Sequence, residues 1–265
     1  EWVVVSPHRT QRPWQGSTEP VPAESLPEYD PHCPLCPGNV RANQARTPPY
    51  RSTYVFDNDF PAFLPQGSGQ EETGQADEPT LLHAQPLAGI CRVICFSPRH
   101  DLSLAQMPVT DIRSVVDVWS EQTQALGEQW RWVQVFENKG ALMGCSNPHP
   151  HGQIWAGDFI PNELAKESSR QREWRALHGS VLLLDYTDHE IAAGERIIAQ
   201  TPHWLAVVPW WAVWPFEILL LPRRHVLRLP DLSYQERDDL SQLLQDVLRR
   251  YDRLFNVSFP YSFGW

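Results

Sequence analysis

Three things are scarce in this sequence: basic residues, unbroken apolar runs and an even set of cysteines. Lys and Arg number 22 against 32 Asp and Glu, a formal net charge of -10. A general nucleic-acid binder needs a basic face to displace phosphate counterions, so the balance argues against that class. A small anionic ligand is not, because a few local Arg residues and backbone N–H groups suffice for one phosphate. The longest apolar stretch, residues 204–222, is interrupted by Pro209, Pro215 and Glu217. A spanning helix needs roughly 20 consecutive apolar residues, so this stretch reads as strand, loop, strand, and no membrane partner is expected. No secretory signal is visible. The five cysteines are Cys33, Cys36, Cys91, Cys95 and Cys145. Their odd number in a chain of 265 residues argues against a disulfide framework and for a reducing, cytoplasmic setting. The chain begins at Glu1 without a Met, which leaves its natural start open.

What is abundant points to strands. The 12 Trp and 25 Pro suggest a rigid, loop-rich, strand-rich fold more than a helical bundle. The length accommodates one large domain or two small ones, with a sizeable core. Residues 1–6 read as a short strand leading to Arg9 and Arg12, residues 17–35 as irregular Pro-rich chain, and residues 54–56 as a strand running into Asn58 and Asp59. The polar, acidic, Gly-containing segment 66–79 reads as a mobile loop.

Two segments then follow one plan. Residues 92–100 (RVICFSPRH) form an apolar strand ending in Pro-Arg-His, followed by a connector and a helix over about 110–126. Residues 217–225 (EILLLPRRH) form an apolar strand ending in Pro-Arg-Arg-His, followed by a connector and a helix that opens with the capping box Ser233 to Glu236. The match predicts an internal duplication; the plainer alternative is two ordinary strand–helix units. The expected fold is α+β: one mostly antiparallel sheet from two related strand–helix halves, residues 1–190 and 191–265, with helices packed on it. After its helix the first half continues through a strand at 133–137 and a Gly-containing loop to a His-rich strand at 149–155. The second half has no such strand, so a sequence cut short at its C-terminal end is expected.

The His-rich segment carries the chemistry. In GCSNPHPHGQIW, residues 144–155, His149, His151 and Gln153 alternate, and on a strand all three emerge on one face. Three polar side chains on one face of an apolar strand are costly in a core unless they serve a site. Gly144, Cys145, Ser146 and Asn147 just upstream offer backbone N–H groups and a hydroxyl that could cradle phosphate oxygens. The competing reading is a polar, Pro-rich loop with solvated histidines. Cys33 and Cys36 have the spacing of a zinc knuckle, and a Pro-rich loop suits a redox pair less well than a helix start does. No second CxxC exists, so zinc would need two further ligands. His100 and His149, each beside an expected strand end, are the best candidates among the 10 His.

These strings also carry a resemblance. HPHGQIW at 149–155 resembles the histidine-triad signature in its variant with Gln in third place. ENKGALMGCSNPHPHGQIWA, with SPHRTQRPWQG, CPLCPGNVRA, FDNDFPA and LLLPRRHVLRL, resembles the galactose-1-phosphate uridylyltransferase family over essentially the whole chain. The resemblance implies that His151 is the nucleophile that becomes uridylylated. It implies that Gln153 hydrogen-bonds the transferred phosphoryl group, and that Cys33, Cys36, His100 and His149 hold zinc. Arg9 and Arg12 match residues that reach the nucleotide sugar of a partner subunit in a homodimer. Ala42, Asn58, Asp59, Asn138, Gly144, Cys145 and Ser146 match nucleotide-sugar contacts. Glu167 matches one ligand of a second metal, often iron, whose other ligands lie in the family beyond the position of Trp265; that second site and full activity are therefore in doubt here.

The reaction the family implies is ping-pong transfer of UMP from UDP-glucose to galactose 1-phosphate, with glucose 1-phosphate leaving and UDP-galactose formed. A neutral imidazole must attack, and an ordinary pKa of about 6.5 leaves it largely neutral at cytosolic pH. A sugar phosphate is a good leaving group, so Gln153, which donates a hydrogen bond but no proton, suffices where triad hydrolases carry a third His. Four protein ligands leave the zinc no open position, which makes it structural. The rivals are a histidine-triad hydrolase or a transferase for another nucleotide sugar, and a non-catalytic zinc-binding scaffold.

Overall fold

The computed structural model describes residues 26–66 and 85–265. The expected strand at 1–6, Arg9, Arg12, most of the Pro-rich stretch before residue 26 and all but Gln66 of the segment 66–79 lie outside these residues. The described elements begin with β1 (Tyr54–Asp57), β2 (Gly89–Cys95), helix α1 (Val109–Gly127), β3 (Trp132–Lys139) and β4 (His151–Gly157). Two helices follow, α2 (Asn162–His178) and α3 (Leu182–Ala193). The chain then runs through β5 (Ile197–Gln200), β6 (Trp204–Val207), β7 (Leu219–Pro222), α4 (Tyr234–Phe255) and β8 (Tyr261–Gly264).

The two long helices form because their apolar residues repeat at helical spacing. In α1 the buried stripe is Ile112, Val115, Val116 and Trp119; in α4 it is Leu240, Leu243, Leu244, Val247 and Leu248. Ser233 starts α4 with a complete capping box: its hydroxyl accepts from the Glu236 amide, and the Glu236 carboxylate accepts from the Ser233 amide. The stripes meet in one core with Ile94 and Phe96, with Val135 of β3, and with Ile154 and Ala156 of β4. Burial of each large side chain there contributes about 1.5–3 kcal/mol.

All strand pairs are antiparallel, and the order of elements repeats as expected: β6, β7, α4 and β8 follow the plan of β1, β2, α1 and β3. The described strands nevertheless divide between two sheets, in orders β1-β2-β4-β3-β8 and β5-β6-β7, where a single sheet was expected. The reason lies in β8. It pairs with β3 (Glu137 opposite Phe263) and with no strand of the smaller sheet among the described residues. The cores of the two halves are joined through α1 against α4 and through Trp204 of β6.

Several boundaries move. The strand expected over 92–100 stops at Cys95, where Pro98 and an amide of Arg99 bonded to the Ser97 hydroxyl turn the chain. The strand expected over 217–225 keeps only Leu219–Pro222. Helices α2 and α3 were not anticipated. No residue of α2 is buried, so it lacks the apolar stripe from which a helix is read. No helix among the described residues is long and apolar enough to cross a membrane.

Candidate active site

The His-rich strand begins two residues later than the alternation implied. His149 precedes β4, and only His151, Gln153 and Trp155 stand together on one face, with Gly152, Ile154 and Ala156 turned toward the helices. Proline explains the late start: Pro148 and Pro150 have no N–H to continue a ladder. The carbonyl of Pro150 accepts the last bond from the Phe96 amide. The His149 amide donates instead to the Asn147 side-chain oxygen at 2.9 Å, which turns the ring of His149 away from its neighbour's.

His151 is half-buried at the start of β4. Its Nδ1 lies 2.8 Å from the carbonyl oxygen of His149. A carbonyl only accepts, so Nδ1 carries the proton and the lone pair of the neutral ring is on Nε2. The tautomer required of a nucleophile is thus set by the backbone two residues away. Gln153 is held next. The indole Nε1 of Trp155 donates to its Oε1 at 3.2 Å, and because an indole N–H can only donate, the amide must present its NH2 group outward. The same face carries Phe136, opposite Gln153 on β3, and then Asn138, whose side-chain oxygen accepts from the Ser262 hydroxyl at 2.6 Å.

The loop between β3 and β4 turns through Gly140 (φ 91) and Gly144 (φ 76), backbone that disfavours a side chain. The expected amide cradle is only partly available here. The Gly144 amide donates to Ala141 and the Cys145 amide to Gly140, both within the loop. The Cys145 thiol donates to the Asn147 carbonyl at 3.1 Å. A cleft of about 160 Å3 at the end of the sheet is lined by His151, Asn138, Cys145 and Asn147, with Glu137 and Lys139 of β3 beside them.

Cys33, Cys36, His100 and His149 converge, all four buried, with their donor atoms within 4.8 Å of one another. The Nδ1 atoms of His100 and His149 lie 3.6 and 3.5 Å from the Cys36 sulfur. A tetrahedron with metal–sulfur bonds of about 2.3 Å and metal–nitrogen bonds of about 2.0–2.1 Å has edges of roughly 3.3–3.8 Å, so these spacings fit a bound dication. The Nε2 of His149 lies 2.9 Å from the Ser97 carbonyl, which places the proton there and turns the Nδ1 lone pair toward the cluster. Burial lowers His149 to about 3, so its imidazole is held neutral, as ligation requires. Burial also pushes the Cys36 thiol up to about 11, a cost that a dication's charge offsets. Tyr50, whose hydroxyl donates to the Leu35 carbonyl at 2.8 Å and lies 2.9 Å from His149 Nε2, closes the cluster.

The remaining expected residues are distributed around this face. Asn58 continues from β1, its amide bonded to the Cys91 carbonyl and its side chain accepting from Phe60. Asp59 is mostly buried and Ala42 is exposed on the neighbouring hairpin. Ser146 lies in the loop before His149. Glu167 is exposed on α2, and among the described residues no cluster of three or more metal-ligating side chains includes it. Sequence reasoning did not single out Tyr50, Ser97 or Trp155. Only Trp155 left a signal, since its spacing from Gln153 puts both on one strand face; the others act by a carbonyl or a hydroxyl brought in from separate loops.

Comparison with known proteins gives the family of the chain. The sequence models for galactose-1-phosphate uridyl transferase match in two parts, the N-terminal domain over residues 1–161 and the C-terminal domain over 167–265. A galactose-1-phosphate uridylyltransferase of Rattus norvegicus is 50% identical over 265 residues, covering 100% of this chain and 69% of that protein. One from Haemophilus influenzae is 51% identical, covering 100% of this chain and 75% of the other. A solved uridylyltransferase structure superposes with a TM-score of 0.78 at 27% identity, covering 99% of this chain and 76% of that one.

Proposed function

The chain belongs to the galactose-1-phosphate uridyl transferase family, and on that premise we propose that it moves a uridylyl group from UDP-glucose to galactose 1-phosphate through a covalent intermediate on His151. The observation that carries the reading is the bond between His151 Nδ1 and the His149 carbonyl, which leaves the ring's lone pair on Nε2 beside the anchored amide of Gln153. In the first step the Nε2 lone pair forms a bond to the α-phosphorus. The phosphorus–oxygen bond to glucose 1-phosphate breaks, and the electron pair leaves on the phosphate oxygen. The Nδ1 proton stays in place, and the cation formed is stabilised by the His149 carbonyl. The NH2 group of Gln153 donates to the phosphoryl oxygen as charge develops. In the second step an oxygen of galactose 1-phosphate attacks the same phosphorus and Nε2 departs, which gives UDP-galactose and matched chemistry in both directions.

Zinc is the metal that the Cys2His2 donor set favours, and Cys33, Cys36, His100 and His149 would hold it with no position left open. With four protein ligands its role would be structural, fixing His149, whose carbonyl orients His151. The reading includes nucleotide-sugar contacts by Ala42, Asn58, Asp59, Asn138, Gly144, Cys145 and Ser146. It also includes a homodimer in which Arg9 and Arg12 reach the partner's nucleotide sugar, and two halves meeting near residue 190.

Intact mass before and after incubation with UDP-glucose, without acceptor, tests the proposal. A gain of one uridylyl group that is lost on adding galactose 1-phosphate is the expected result, and His151→Asn should abolish the gain. A protein that turns over both sugars without ever gaining mass would overturn the covalent step.

A further inference from the structure

Asn147 stands where the cysteine–histidine cluster and the His-rich strand meet. Pro148 follows it, which favours extended backbone at Asn147, and its side chain reaches past the proline to the next amide. Its Oδ1 accepts from the His149 N–H at 2.9 Å, a two-residue span common for asparagine in turns. An amide nitrogen cannot accept that bond, so the side chain has one orientation and Nδ2 points the other way. There Nδ2 meets the Cys33 sulfur at 3.5 Å, across 114 positions of sequence. Oδ1 lies 3.6 Å from the same sulfur. A protonated thiol can donate to that oxygen, whereas a thiolate can only accept from Nδ2.

Both ends of this one amide therefore hold something the site uses. Cys33 is 4% exposed, and a buried thiolate gains from a donor aimed at it. His149 is held at its ring by the Ser97 carbonyl, 2.9 Å from Nε2, and by the Cys36 sulfur, 3.5 Å from Nδ1. Asn147 holds it at its backbone N–H. Fixed at both places, His149 has little freedom left for its carbonyl, which lies 2.8 Å from His151 Nδ1. The Asn147 carbonyl in turn accepts from the Cys145 thiol at 3.1 Å, which ties down the loop before it.

We infer that Asn147 is a positioning residue that couples the metal cluster to the His151 ring: its Nδ2 donates to the Cys33 sulfur, and its Oδ1 fixes the His149 backbone whose carbonyl selects the His151 tautomer. The inference rests on the reading of Cys33 and His149 as zinc ligands. Asn147 was expected only among the backbone amides of a phosphate cradle, and here its side chain links a ligand sulfur to the nucleophile's hydrogen-bond partner.

Two substitutions in the full chain separate the two ends of the amide. Asn147→Asp keeps an oxygen for the His149 N–H, removes the donor to sulfur and sets a negative charge beside it. Asn147→Ala removes both contacts. The zinc dissociation constant, measured by competition with a chromophoric chelator, should rise in both variants by roughly 10- to 100-fold, the range for removing an outer-shell partner of a metal ligand. Nitrogen NMR of the His151 ring supplies a signature that a general loss of stability does not move. The wild-type and Asp proteins should show the Nδ1–H tautomer, and the Ala protein a mixture of both. Unchanged zinc affinity in the Asp variant, an unchanged tautomer in the Ala variant, or a wild-type protein that takes up no zinc would each overturn the inference. A tautomer that shifts equally in both variants would overturn it too, because the cluster alone would then orient His151. Should the Ala variant fail to fold, the Asp variant decides through its zinc affinity. Neither readout uses a sugar nucleotide, so the expected pattern in a protein that never gains a uridylyl group would sink the transferase reading and leave this one standing.

Discussion

Glu137 lies on the helix-facing side of β3, 4% exposed, with the Tyr261 hydroxyl donating to its carboxylate at 2.9 Å and Lys139 two residues along the strand. Burial outweighs both and pushes its pKa from 4.5 up to about 8. The folded protein therefore binds a proton that the unfolded chain releases, between the two values. The penalty is absent below the unfolded value, grows as pH rises from 4.5, and levels off above the folded value near 8. At pH 7 the gap from the unfolded value is about 2.5 pH units, which at 1.36 kcal/mol each amounts to about 3 kcal/mol of lost stability. Glu137→Gln keeps an acceptor for Tyr261 and cannot ionise. Urea unfolding followed by tryptophan fluorescence from pH 5.5 to 8.5 should show the variant gaining on the wild-type protein by about 1.4 kcal/mol per pH unit over most of that range, with the gain flattening above pH 8. The extra N–H of glutamine adds an offset that does not depend on pH, so the slope carries the test and the offset does not. A difference that is flat across the range would refute the burial argument.

Two further outcomes follow from the site. Cys36→Ala should lose bound zinc and stability together, by on the order of 4 kcal/mol or more, measured by metal analysis and thermal melting; a variant that melts normally without metal refutes the structural role. Gln153→His should let water compete for the uridylyl-histidine, seen as release of UMP from UDP-glucose without acceptor. Hydrolysis no faster than in the wild-type protein would remove the stated reason for glutamine at that position.

The site was legible where function depends on consecutive residues. His151 and Gln153 share a face because a strand alternates, and HPHGQIW fixes that alternation locally. Cys33 and Cys36 pointed to a metal because two thiols at that spacing can hold one side of a tetrahedral ion, and in the fold they meet His100 and His149. The capping box at Ser233 and the apolar stripes of α1 and α4 could be read directly, since hydrogen bonding across one turn and a period of 3.6 are local properties. Helix α2 could not, because a helix with charge all round has no periodic signal.

What the tertiary structure decided depends on groups that meet from distant parts of the chain. His149 was expected on the strand with His151, yet Pro148, Pro150 and the Asn147 side chain turn it toward Cys33, Cys36 and His100, and only its carbonyl meets the His151 ring. The donor atom of each imidazole was set by carbonyls, of Ser97 for His149 and of His149 for His151. The contact of Asn147 with Cys33, 114 positions away, came from the packing of one loop on another. A sequence specifies side-chain chemistry and local period. Which lone pair faces which carbonyl, and which amide meets which sulfur, is fixed only when separate segments pack, because those interactions act over a few ångströms in space and have no period along the chain.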